Sequence, residues 1–111
     1  MTGSDRSSNS ENQMMRNLPV KWGISLANRG ALFGLTDVDD LIETAVAAEE
    51  SGVFESVWVG DSLIHKPRLE AITMLAALAT HTQKVRLCTI CLASFPVRHP
   101  VFLAIQLAPL D

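Results

Sequence analysis

Short runs rich in β-branched and aromatic residues alternate along this chain with segments of helical period, and this alternation constrains the fold more than any other feature. The runs fall at residues 20–26, 57–59 and 85–92. They begin about thirty residues apart, the size of one βαβ unit. Strand, helix, strand, helix, strand and the start of a further helix follow in order. That pattern predicts an α/β fold with a parallel sheet and right-handed crossovers.

Residues 1–17 are rich in Ser, Asn and Gln and almost lack large aliphatic side chains. Such a stretch buries too little apolar surface to offset its ordering entropy. It is expected to be a disordered leader, with residues 18–111 as the folded part. In the first strand Val20, Trp22, Ile24 and Leu26 share one face by period-two alternation. A loop over residues 27–34 follows, with Leu32 and Phe33 as an apolar plug. Thr36 and Asp39 read as a capping-box-like pair, and Asp37, Asp39 and Asp40 suit the positive end of a helix dipole. Val38, Leu41, Ile42, Ala45 and Val46 recur at three- and four-residue steps as one apolar stripe. Gly52 is placed to end that helix in a left-handed conformation. Helix chemistry thus accounts for the acidic cluster without catalysis.

Val57, Trp58 and Val59 form the buried second strand, and Gly60 lets the chain turn as it leaves the core. Asp61 then stands at the C-terminal edge of the strand, where parallel α/β folds gather their chemistry. Taken locally, Asp61 as a cap on the next turn is the simpler reading. The basic loop 62–68 leads into a helix over 69–82, with Ile72, Leu75, Ala76 and Ala79 on its inner face. His65 and His81 have no partner at ligand spacing and read as solvated. The third strand is nearly continuous in apolar character after Arg86, which suits burial on both faces. Cys88 and Cys91 within it read as buried packing thiols rather than a redox or metal pair. Pro100 suits the first turn of a last helix over about 101–106.

Composition removes several functions. The 111 residues are 48% hydrophobic, enough core for one modest domain. A formal net charge of −3, with no basic stripe interleaved with aromatics, disfavours nucleic acid. Apolar stretches are too short or interrupted to span a bilayer, and no signal-peptide core follows the N-terminus. A soluble cytoplasmic protein is therefore expected. Glycine-loop nucleotide motifs and the Gly-x-Ser-x-Gly elbow do not occur.

Three blocks, in order and at the right spacing, carry a resemblance to a known family. They are Ala47-Ala48-Glu49-Glu50-Ser51-Gly52-Val53-Phe54-Glu55-Ser56-Val57-Trp58-Val59-Gly60-Asp61, residues 75–87, and Phe95-Pro96-Val97-Arg98-His99-Pro100-Val101. They resemble the luciferase-like monooxygenases, TIM-barrel oxidoreductases that use FMN or the deazaflavin F420. The closing Gln106-Leu107-Ala108-Pro109-Leu110-Asp111 is similar to that family's helix before its fourth strand. The resemblance runs from about Trp22 to Asp111. It implies the N-terminal β-α-β-α-β-α portion of a (β/α)8 barrel, truncated.

The same resemblance implies that Asp61 and the following Ser62, a position often held by His, belong to the active site. It implies that Asp61, Thr89, Ile90 and Cys91 lie against the cofactor ring, with a non-prolyl cis peptide at Ile90–Cys91. Cys88 stands where the family usually has Gly, and Arg98 reads as a loop anchor. The implied chemistry is hydride transfer or oxygen insertion on a small organic substrate through reduced FMN or F420. Three strands leave such a barrel open, so the fragment is expected to be inactive alone. The competing reading is a non-catalytic interaction module, pairing its open sheet edge with a second copy or a full-length homologue. A third is a compact α/β domain with an unrelated ligand, in which Asp61 is only a cap.

Overall fold

A computed structural model describes residues 3–17, 19–62, 66–93 and 97–111. Helix α1 (Gly3–Arg16) is followed by strand β1 (Trp22–Leu26), helix α2 (Val38–Ser51) and strand β2 (Phe54–Gly60). Helix α3 (Ala71–Ala79), strand β3 (Arg86–Ile90) and helix α4 (Pro100–Leu107) complete the order, with short 3-10 turns at Gly30–Phe33 and Ala108–Leu110. The three strands form one open parallel sheet in the order β1-β2-β3, as their spacing predicts.

The core lies between the sheet and helices α2 and α3. Leu26 of β1 and Val57 and Val59 of β2 meet Leu41 and Ala45 of α2 and Met74, Leu75 and Leu78 of α3. Val57, Val59 and Leu78 are fully buried. The α2 stripe holds at Leu41 and Ala45, with Ala48 added and Val38 exposed. On α3 the inner face is rotated from the expected one. Ala71, Ile72, Met74, Leu75 and Leu78 are buried while Ala76 is exposed, because Ala71, Met74, Leu75 and Leu78 are the residues that meet Val57 and Val59 in the core.

Local capping chemistry explains the helix ends. The N-cap of α2 is Asp37, not Thr36. Its carboxylate accepts from the Asp40 N–H at 2.8 Å, and the Asp40 carboxylate accepts from the Asp37 N–H at 3.3 Å. The expected box is real but displaced by one residue, because Asp competes at least as well as Thr for a cap. Gly52 ends α2 in the left-handed region (φ 69), as expected, and its N–H donates to the Glu49 carbonyl at 3.1 Å. Pro100 occupies the first turn of α4, where its missing N–H costs nothing.

Residues 3–16, within the expected leader, form helix α1, whose hydrogen bonds are local; Arg16 donates to Gln13 at 2.8 Å. Its described side chains are mostly exposed and none joins the apolar core. One expectation about exposure is corrected: β3 is covered on one face only. Leu87 packs against the core, whereas Ile90 is 42% exposed. Cys88, on the uncovered face, is half-buried and Cys91, beyond the last residue of β3, is exposed, both as free thiols, so they are not the buried packing thiols expected. A run of apolar residues reports that a strand prefers burial, but a second layer must exist to provide it.

That uncovered face carries Ser25, Trp58 and Cys88 side by side in register, with the Trp58 indole N–H donating to the Ser56 hydroxyl at 2.8 Å. The outer edge of β3 is also unpaired by any described strand. Beside it a groove of about 940 Å³ is lined in part by Leu75, Val85, Leu87, Cys88 and Leu107. Helix α4 buries none of its residues, and Val101, Phe102 and Ile105 are each more than 60% exposed. No described helix is long and apolar enough to cross a membrane.

The turn into β3 is held by a side chain from far away in sequence. One carboxylate oxygen of Glu49 accepts the N–H groups of Gln83, Lys84 and Val85 at 2.8, 2.6 and 3.0 Å. The Lys84 N–H above all, opposed by partial burial, holds the Glu49 carboxyl below the usual range. A folded-state pKa below the unfolded one contributes stability above the unfolded value, near 4.3 for Glu, and loses it as pH falls through the folded one. Glu49→Gln is therefore expected to flatten the acid limb of a stability–pH curve measured by urea unfolding. An unchanged acid limb would remove Glu49 from that role.

Candidate functional site

The C-terminal ends of the three strands converge on one rim, and three clamps shape it. The first is Asn28, 1% exposed, just beyond β1. Its amide NH₂ donates to the carbonyls of Gly60 at 2.8 Å and Leu69 at 3.1 Å, and its side-chain oxygen accepts from the Gly60 N–H at 3.3 Å. The Asn28 backbone carbonyl also accepts from the Leu69 N–H at 3.0 Å. An amide here extends the β1–β2 ladder past its last residue and ties it to the segment entering α3. Reading the sequence did not single out Asn28, because a lone Asn in a loop ordinarily marks a turn.

The second clamp centres on Asp61. Its backbone N–H donates to the Ile90 carbonyl at 3.3 Å, joining the ends of β2 and β3. Its side chain is 2% exposed and pairs with Arg98, itself 10% exposed, at 2.6 Å. The same carboxylate oxygen accepts the Ala93 N–H at 2.7 Å. Arg98 also donates to the Ala93 carbonyl and, at 2.8 Å, to Glu70, the N-cap of α3. One guanidinium thus joins the end of β2, the loop after β3 and the start of α3. The bond to Asp61 pushes Arg98 further above its already high range. Burial pushes the Glu70 carboxyl up, but the Thr73 N–H and Arg98 outweigh it and leave it low. The loop-anchor expectation for Arg98 is met in this geometry, and Asp61 is an ion-paired anchor rather than a simple turn cap.

The third clamp is Ser62. Its hydroxyl donates to the Lys66 carbonyl at 2.7 Å and accepts from the Arg68 Nε–H at 3.0 Å. Of the expected ring-contacting residues, Asp61, Ile90 and Cys91 come together at the rim. Thr89 does not share the side of Ile90. It pairs in register with Val59, and alternation with Ile90 puts it on the helix-facing surface. Cys91 has a left-handed backbone (φ 57), the one such non-glycine among the described residues. That conformation costs an L-residue about 1 kcal/mol or more, so Cys91→Gly is expected to raise the urea midpoint. A lowered midpoint would show that no strain is stored there.

His81 is exposed; its Nδ1 lies 2.8 Å from the Thr80 hydroxyl and 3.0 Å from the Ala77 carbonyl, matching a solvated surface residue. His65 lies outside the described residues. His99 caps α4, its Nδ1 accepting the Val101 N–H at 3.2 Å.

The model of the luciferase-like monooxygenase family matches residues 18–111, nearly all of the chain and the whole of the sheet. Neither a curated protein nor a solved structure gives a match. The match covers every strand and the rim that Asn28, Asp61 and Arg98 build. The chain therefore belongs to the luciferase-like monooxygenase family.

Proposed function

We propose that this chain carries part of the ring-binding site of a flavin- or F420-dependent oxidoreductase acting on a small organic substrate in the cytoplasm. The observation that supports it best is the rim, where Asp61 and the Ile90–Cys91 segment are drawn to one C-terminal end of a parallel sheet. The residues fit a flat conjugated ring. Ile90 is 42% exposed there and the left-handed Cys91 bends the chain beside it, so apolar surface faces outward at the rim. Ile90 and Cys91 would lie against the ring, with Asp61 and Thr89 supporting them from the helix-facing side. When bound, the cofactor supplies the redox chemistry of hydride or oxygen transfer.

The chain's own part is placement. Asp61 is paired with Arg98, so it acts as a positioning residue that keeps the loop after β3 against the end of β2. Ser62 holds the next loop through Lys66 and Arg68. Three strands supply less than half of an eight-stranded barrel, so turnover is proposed to need further βα units.

A second reading is favoured by the free edge of β3 and the exposed Phe102 and Ile105 of α4. It holds that the chain pairs through this edge, with a second copy, as an interaction module. One experiment separates the two. Purified chain is titrated with FMN and with F420 while cofactor fluorescence and size-exclusion elution are followed. Saturable binding of one cofactor is expected from the first reading. A defined dimer that binds neither would favour the second and overturn the first.

A further inference from the structure

We propose that Arg68 is an anion-recognition arm at the rim, placed to receive a carboxylate or phosphate group of a small-molecule ligand. The proposal takes its location from the ring-site reading but rests on separate chemistry. Arg68 lies in the segment between β2 and α3 and is half-buried. Its stem is tethered by the Nε–H bond to Ser62, whose hydroxyl is itself held by the Lys66 carbonyl.

The guanidinium lies directly on Gly60. A Cβ added at Gly60 would overlap the Arg68 Nη1 and fall 2.9 Å from the guanidinium carbon. Gly60 alternates with Val59, so that space lies on the face shared with Trp58, away from the helices. The glycine is needed here for room, and what it makes room for is a positive charge over the open face.

The charge lacks a carboxylate partner among the described residues. The ion pairs found are Lys21–Glu55, Arg98–Asp61 and Arg98–Glu70. Asp61 and Glu70, the acidic residues nearest to Arg68 in sequence, are thus both engaged by Arg98. Arg68 has five N–H donors in a fixed fork, and among the described residues only Nε has an acceptor. A planar oxyanion, held by two parallel N–H bonds, is the partner such a fork matches.

The test compares the wild-type chain with R68Q and G60A, using inorganic phosphate and acetate as probes at constant ionic strength. The Gly60 and Ser62 amides and the Arg68 Nε–H are followed by NMR. Saturable shifts are expected in the wild type. Both variants should weaken binding by about tenfold, the loss of a charge-assisted bond. G60A retains the charge and displaces only the far end of a flexible side chain, so it serves even if R68Q fails to fold. Tighter binding of phosphate points to a cofactor or substrate phosphate, and of acetate to a substrate carboxylate. Linear shifts without saturation, or equal affinity in the wild type and G60A, would overturn the proposal. Saturable anion binding without FMN or F420 binding would keep the arm and remove the ring site; the converse would remove the arm alone.

Discussion

Arg98→Met is expected to destabilise the fold by about 3 kcal/mol, the loss typical when one partner of a buried ion pair is removed. The methionine leaves the Asp61 carboxylate, 2% exposed, without its guanidinium, and it also frees Glu70. The loss should appear as a lower urea midpoint with an unchanged slope. In the double variant Asp61→Asn with Arg98→Met the buried carboxylate goes together with its guanidinium, and part of the stability should return. A change below about 1 kcal/mol in the single variant would place the pair in the solvated class, where ion pairs contribute little. The functional consequence follows from the same contacts. Without Arg98 the loop after β3 loses its ties to Asp61 and to α3, so a ring-binding rim should loosen before the core does.

The second large effect is expected at Asn28. Asn28→Leu preserves volume but strands the Gly60 N–H and the carbonyls of Gly60 and Leu69. An unsatisfied buried polar group costs about 1–3 kcal/mol, so the three together should lower stability by roughly 3 kcal/mol. Hydrogen exchange gives the local readout: the Gly60 amide should exchange much faster, while Val57, deep in the core, should change only with global stability. Equal acceleration at both would mean that Asn28 supports the whole sheet rather than its rim.

Much of the architecture is legible because it depends on local rules. Gly52 ends α2 since a left-handed residue closes a helix with least steric cost, and Pro100 begins α4 since a first-turn N–H is dispensable. The β-branched centre of β2 and the stripe on α2 follow from alternation and from helical period in the same way. Where two neighbours obey one rule, the sequence is ambiguous by a residue. Thr36 and Asp37 each have an aspartate three positions on, and only the backbone decides that Asp37 is the cap.

The candidate site is legible in part. Asp61 stands out because it ends a strand, and the family resemblance adds Ser62, Ile90 and Cys91. The partners that long-range clamps join do not stand out. Asn28 reaches Gly60 across 32 residues, Glu49 reaches Val85 across 36 and Arg98 reaches Asp61 across 37. No local period or spacing encodes such pairs, since each arises only when parallel strands bring their ends together. Thr89 shows the converse. It precedes Ile90 directly in sequence, but strand alternation turns it to the opposite face of the sheet.

The sequence by itself determines the parallel βα order, the glycine stop of α2, the proline start of α4 and the family, because these depend on residue-by-residue propensity, patterning and motif. Tertiary structure alone decides which face of the sheet is covered, hence the exposure of Ile90. It also decides which carboxylates Arg98 occupies, hence the guanidinium left over Gly60. Burial and ion pairing are properties of what lies across space, and a chain of residues carries that information only once it has folded.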